Sequence, residues 1–260
     1  MPIVRMLGSV LPPPPFVSIT FADLPKVIYK PPGTDLNITV TVNVNNSAID
    51  VECDMNRFDE QDIGHVHKIA FDTARAAVNL ISFLKGYGLT VYLHTLVRPD
   101  GTRSVLVPQS PQLESICTAF STKPAATREE NDFNTVASLV FADPALFMAL
   151  DDLILSQILP HQGPVTCARA VEGIRNMIAP GMKRPAGWET MREHLKLDRA
   201  YLDLVTETST ASRHGDRTFV PPDVTLEIQK RAWVVMNRFL EYRKRKNQPL
   251  PLDEFPILSS

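Results

Sequence analysis

An arginine and a histidine standing side by side near the end of a helix form the pair in this chain best suited to chemistry. The stretch from Asp198 to Arg217 reads DRAYLDLVTETSTASRHGDR. Tyr201, Leu202, Leu204 and Val205 give it an apolar helical face, and the polar run TETSTAS leads into Arg213-His214-Gly215-Asp216. An imidazole changes charge near neutral pH and can move a proton, while a guanidinium grips phosphate through two parallel hydrogen bonds. The same residues also suit a charged helix end. Glycine has no Cβ to oppose the left-handed backbone that stops a helix, and cations favour the negative end of the helix dipole.

Other groups carry less chemistry. His65 and His67 form an H-x-H pair and His94 lies on an expected strand, so three imidazoles are available to zinc. Residues two apart on a helix point about 200° apart, however, so the pair is poorly placed for one ion, and no metal is expected. Asp54, Asp59, Glu60 and Asp62 gather around the start of a long helix, where carboxylates favour the positive end of the dipole. The last helix carries Lys230, Arg231, Arg238 and the run Arg243-Lys244-Arg245-Lys246, against Glu227 and Glu241. A cationic run at a helix C-terminus suits the dipole there. It is also the candidate nucleic-acid contact, through sequence-independent binding to phosphates. Leu226, Trp233, Met236, Phe239 and Leu240 of that helix recur at core spacing.

Simple P-loop, dinucleotide-binding, α/β-hydrolase and zincin chemistry is excluded, because GxxxxGK[ST], GxGxxG, GxSxG and HExxH do not occur. No cofactor is expected. A net charge of −2 removes any global attraction to nucleic acid or membrane. Cys53, Cys117 and Cys167 are far apart and odd in number, which argues against a disulfide framework and fits a cytoplasmic protein. No apolar run approaches a membrane span, and the N-terminus does not read as a signal peptide.

The elements that must position these groups fall into two kinds. Residues 1–15 end in four prolines and read as an extended, polyproline-like arm. Phe16–Phe21 and Lys26–Lys30 are short strand candidates. Leu36–Val44 alternates apolar and polar residues almost without fault, and Asn45-Asn46-Ser47 turns the chain into a hairpin partner, Ala48–Met55. Asp59–Tyr87 reads as one long helix stopped by Gly86 and Gly88, and strands Leu89–Val97 and Arg103–Pro108 follow. This predicts an α+β domain over 1–120, a mostly antiparallel sheet covered by one helix. Residues 121–131 (STKPAATREEN) read as a linker. From 132 to 260 an all-α bundle is expected, with helices at Asp132–Phe141, Pro144–Leu159, Val165–Ile178, Trp188–Leu197, Arg199–His214 and Asp223–Lys246. A further helix is expected at Gln112–Phe120.

From Pro144 to Lys246, this helix order, with a bundle helix ending in Arg213-His214-Gly215 ahead of a long final helix, resembles the HEPN-like helical domains of prokaryotic conflict and defence proteins. Those domains are commonly dimeric, and many are metal-independent endoribonucleases bearing an arginine, four to six residues, then a histidine. This chain departs from that pattern: Glu207, Thr208 and Ser209 stand where the arginine would be, and Arg213 is adjacent to the histidine. The resemblance implies an RNA-targeting effector, acting as a homodimer and governed by the N-terminal domain. His214 would serve as general acid or base and Arg213 as phosphate stabiliser. A non-catalytic interaction or sensor module is the alternative, favoured by the missing arginine.

Overall fold

A computed structural model describes residues 1–14, 17–20, 24, 26–106, 111–120, 132–210 and 220–259. The chain divides into two compact units, Met1–Val107 and Pro108–Ser260.

The first unit is an antiparallel six-stranded sheet with one long helix. Its strands are β1 (Ile3–Leu11), β2 (Val27–Tyr29), β3 (Ile38–Asn45), β4 (Ala48–Met55), β5 (Thr90–Val97) and β6 (Arg103–Val105), in the order β2-β3-β4-β1-β5-β6. Alternation decides the faces. Ile38, Val40, Val42 and Val44 of β3 are buried, as are Ile49, Val51, Cys53 and Met55 of β4, with Val40 opposite Cys53. Asn46 and Ser47 both have positive φ, which gives the two-residue hairpin loop its twist. Helix α1 (Ile63–Lys85) lays Val66, Ala70, Ala74, Ala77 and Val78 toward the sheet and stops at Gly86, whose φ of 66° is left-handed.

The arm expected over residues 1–15 is not one. Ile3–Leu11 is a central strand, hydrogen-bonded to β4 on one side and β5 on the other. Val4, Met6 and Val10 alternate into the core, a pattern that the four prolines following it obscured. Gly8 is needed there, because a Cβ would lie 2.3 Å from the carbonyl oxygen of Tyr92. Val17–Thr20, within the expected strand Phe16–Phe21, is loop. It is tied to the hairpin by the Ser47 amide donating to the Ile19 carbonyl. Three of the acidic residues before α1 have partners. Asp59 accepts from the Gln61 amide, Glu60 pairs with Arg98 and Asp62 with Arg57.

The second unit is helical: α2 (Pro111–Glu114), α3 (Asp132–Ala142), α4 (Pro144–Ile158), α5 (Gly163–Ile178), α6 (Arg184–Leu195), α7 (Arg199–Glu207) and α8 (Pro222–Lys244). Helix α5 is at the centre, against α4, α6, α7 and α8. Leu146, Leu153, Cys167, Ile174, Met191, Leu195, Ile228 and Phe239 form the core. Four helices carry proline in the first turn, where its missing N–H costs nothing. Asp143 and Asp198 cap α4 and α7 with their carboxylates.

The division between the units falls earlier than the sequence suggests. Leu113 and Ala119 are buried, Ala119 belongs to the helical core, and Asn237 of α8 accepts from the amides of Thr118 and Ala119. Residues 111–120 therefore belong with the helices, and only Pro111–Glu114 of the expected Gln112–Phe120 helix is helical. The expected linker 121–131 lies outside the described residues.

Candidate functional site

The cationic run at the end of α8 is spoken for. Arg243 donates to Asp143 at 2.7 Å, securing the carboxylate that caps α4, and its guanidinium lies over the Phe239 ring. Lys244 donates to the Ala119 carbonyl at 2.8 Å. Arg245 forms a two-pronged pair with Glu254 and covers Phe255. Lys246 is exposed, just past the helix end at positive φ. Earlier in α8, Arg238 is buried and donates to the carbonyls of Leu195, Lys196 and Pro256, so it closes the C-terminus of α6. Burial holds its pKa below the usual arginine value. Arg231 pairs with Glu227 and lies over the Tyr201 ring, and burial pushes the Tyr201 hydroxyl up to about 12. The sequence offered Arg243, Lys244, Arg245 and Lys246 as a phosphate-binding face; in the structure the first three are bonded to Asp143, the Ala119 carbonyl and Glu254, the last of these pairs exposed.

The histidines are dispersed in role. His67 stands against Phe71 and burial lowers its pKa, while His94 Nδ1 is 3.0 Å from the Thr95 hydroxyl. Among the described residues no three histidine, cysteine, aspartate or glutamate side chains are grouped to hold a metal ion. The cysteines are unpaired, and burial raises Cys53 and Cys167 to about 12, which leaves both thiols protonated and inert.

Arg213 and His214 lie outside the described residues. The helix that leads toward them, α7, is described as far as Glu207, with Thr208, Ser209 and Thr210 after it. Three hydroxyls bond back to carbonyls one turn earlier: Thr206 to Leu202, Thr208 to Leu204 and Ser209 to Thr206. These bonds satisfy the polar TETS run locally, which lets Ser209 be fully buried.

Beside α7 lies an open groove of about 350 Å³, lined by Pro185, Trp188 and Arg192 of α6 and by Arg199, Leu202, Asp203 and Thr206 of α7. Arg199 projects into solvent from the first turn of α7 and makes a loose pair with Asp203 at 3.4 Å. The Arg192 guanidinium has no hydrogen-bond or ion-pair partner among the described residues, and it also lines a second hollow, of about 390 Å³, with Glu189, Glu193, Lys196, Leu252 and Ile257. Trp188 is held from behind by Arg175, whose guanidinium sits 5.1 Å from the ring. Two guanidiniums, an indole and the Asp203 carboxylate thus share one groove; guanidiniums beside an aromatic ring are the groups that phosphates and stacked bases call for. The described lining contains no histidine or cysteine, and its one carboxylate is Asp203. Sequence reading did not single out Trp188, Arg192 or Arg199. The signal was present as two arginines on either side of the Leu195-Lys196-Leu197-Asp198 corner, Arg192 one helix turn before it and Arg199 directly after it, on residues that the core does not claim.

Fold and groove thus define a two-unit α+β protein with Arg192 and Arg199 bordering an open groove on its helical half. Residues 4–107 match the model described as the domain of unknown function (DUF8168) N-terminal domain, and residues 133–244 match the DUF8168 C-terminal domain. Together the two matches cover well over half of the chain, which belongs to the DUF8168 family. No curated protein and no solved structure matches it. The two matched stretches fall on the two structural units, the second beginning at α3.

Proposed function

We propose that the helical unit is an RNA-contacting effector bundle, acting as a homodimer, in which a single strand lies in the α6–α7 groove. The observation that carries this reading is the position of the groove. Arg192 of α6 and Arg199 in the first turn of α7 line it, and the chain of α7 continues in sequence into Arg213-His214. The arginines of the groove hold backbone phosphates. His214 takes the proton from a ribose 2′-hydroxyl or gives one to the leaving oxygen, and Arg213 offsets the charge that develops on phosphate. The first unit governs access. On the HEPN-like resemblance the setting is a prokaryotic defence or toxin-like system, in the cytoplasm.

A non-catalytic interaction or sensor module is the second reading. It is favoured by Glu207, Thr208 and Ser209 where the resemblance calls for arginine. Incubation of the protein with labelled single-stranded RNA, without added metal, separates the two. Cleavage that falls at least 100-fold in His214→Ala, with unchanged melting, supports the nuclease. Binding without cleavage in the wild type removes catalysis and leaves the module.

A further inference from the structure

Helix α4 is apolar nearly all round. Its sequence PALFMALDDLILSQI holds two charges, Asp151 and Asp152. A helix of that composition is normally covered on every side. Here one side is covered: Leu146, Ala149, Leu153 and Ser156 face α5 and the core, and Asp152 is buried beside Arg169. The opposite side shows Phe147, Asp151, Ile154 and Ile158 along a single stripe, since these positions recur every three or four residues. Met148 flanks the stripe, and Phe141 stands in the last turn of α3 just before α4 begins. Phe141 is 87% exposed, Phe147 54% and Ile154 51%.

We infer that this face of α4 is the surface through which two copies of the chain associate. The inference names the contact for the homodimer proposed above and rests on that reading, though not on RNA binding or cleavage. Size and pattern select a second copy as the occupant. At about 200 Å² for a large side chain, the exposed parts of Phe141, Phe147, Met148, Ile154 and Ile158 present roughly 550 Å² of apolar surface. A two-fold pairing of the same patch would bury about 1,100 Å², the size at which a specific interface begins. Such a pairing brings the same surface from both chains together, with α4 antiparallel to its mate. Phe147 then meets Ile158 of the other copy, and Asp151 meets Ile154. That register keeps the two Asp151 carboxylates off the axis, so the single charge on the stripe is tolerated.

Sedimentation velocity at tens of micromolar, without RNA, tests the inference on the whole chain. The wild type should sediment as a dimer and Ile154→Lys as a folded monomer, because Ile154 is half-exposed and contributes little to the core. If Ile154→Lys does not fold, Phe147→Lys reads the same face from another turn. Phe83→Lys provides the comparison, since Phe83 of α1 is 92% exposed on the first unit; that variant should remain dimeric. A monomeric wild type would overturn both the homodimer and the α4 contact. A dimer that survives both α4 substitutions, or one dissolved by Phe83→Lys alone, would overturn the α4 contact and leave the homodimer standing. A dimeric wild type that cleaves no RNA would count against the nuclease reading alone.

Discussion

Two groups of arginines in the helical unit look alike in sequence and behave differently in space. Those of α8 and its C-cap, at 231, 238, 243 and 245, are each bound to a carboxylate, a carbonyl or an aromatic ring. Those at 192 and 199 border a groove, one without a partner among the described residues and one held loosely. The denser cluster is therefore the structural one. A cation whose hydrogen bonds are already made must break them before it can take a phosphate, whereas an unpartnered one gives up only water.

The largest effect that would test this difference is at Arg238. Arg238→Met keeps the apolar stem and strips three carbonyls, one buried and two part-buried, of their donor, so unfolding free energy should fall by about 3 kcal/mol. A change within 0.5 kcal/mol in urea titration would mean that the arginine is not a fastener. Next comes the Arg243–Asp143 pair. Burial alone would raise the Asp143 carboxyl, but the hydrogen bond from Arg243 and the two helix amides outweigh it and hold the pKa below the ordinary aspartate value. A lowered pKa means that the stabilisation is complete above the unfolded-state value near 4 and is lost as pH falls through the lower folded value. Asp143→Ala should cost about 1–2 kcal/mol at pH 7, the loss of a helix cap and a half-buried pair. It should also flatten stability against pH below about 4, as followed by thermal melts. An unchanged acid limb would remove the pair from the account. The smallest effect is at Lys246, where Lys246→Ala should leave stability within about 0.5 kcal/mol, since an exposed side chain past the helix end holds nothing in place. A larger loss in the same melts would mean that the run is structural to its last residue.

The fold was readable wherever one periodicity ran unopposed. The alternation of 36–44 and its hairpin partner placed β3 and β4, and the three-and-four spacing from Ile63 to Leu84 placed α1. Boundaries slipped where proline was read only as a breaker. The run at 12–15 hid β1, and α6 begins at Arg184 rather than Trp188 because Pro185 is tolerated in a first turn. The site was less readable, and for a physical reason. Charge is local in sequence, but the partners that neutralise it are not: Asp143 is 100 residues from Arg243, and Ala119 is 125 from Lys244. No window on the sequence could show that 243–245 are occupied, or that 192 and 199 share a groove. Arg213 and His214 were chosen by type and spacing alone, and they lie outside the described residues.

The central claim is that phosphate is met in the α6–α7 groove and not on the cationic end of α8. Fluorescence anisotropy with a labelled single-stranded RNA, at two salt concentrations, tests it directly. Arg192→Ala/Arg199→Ala should weaken binding by tenfold or more and lower the salt dependence by about two phosphate contacts, with melting unchanged. Arg245→Ala/Lys246→Ala should bind as the wild type does. The reverse outcome, full binding by the groove variant and loss by the α8 variant, would contradict the account.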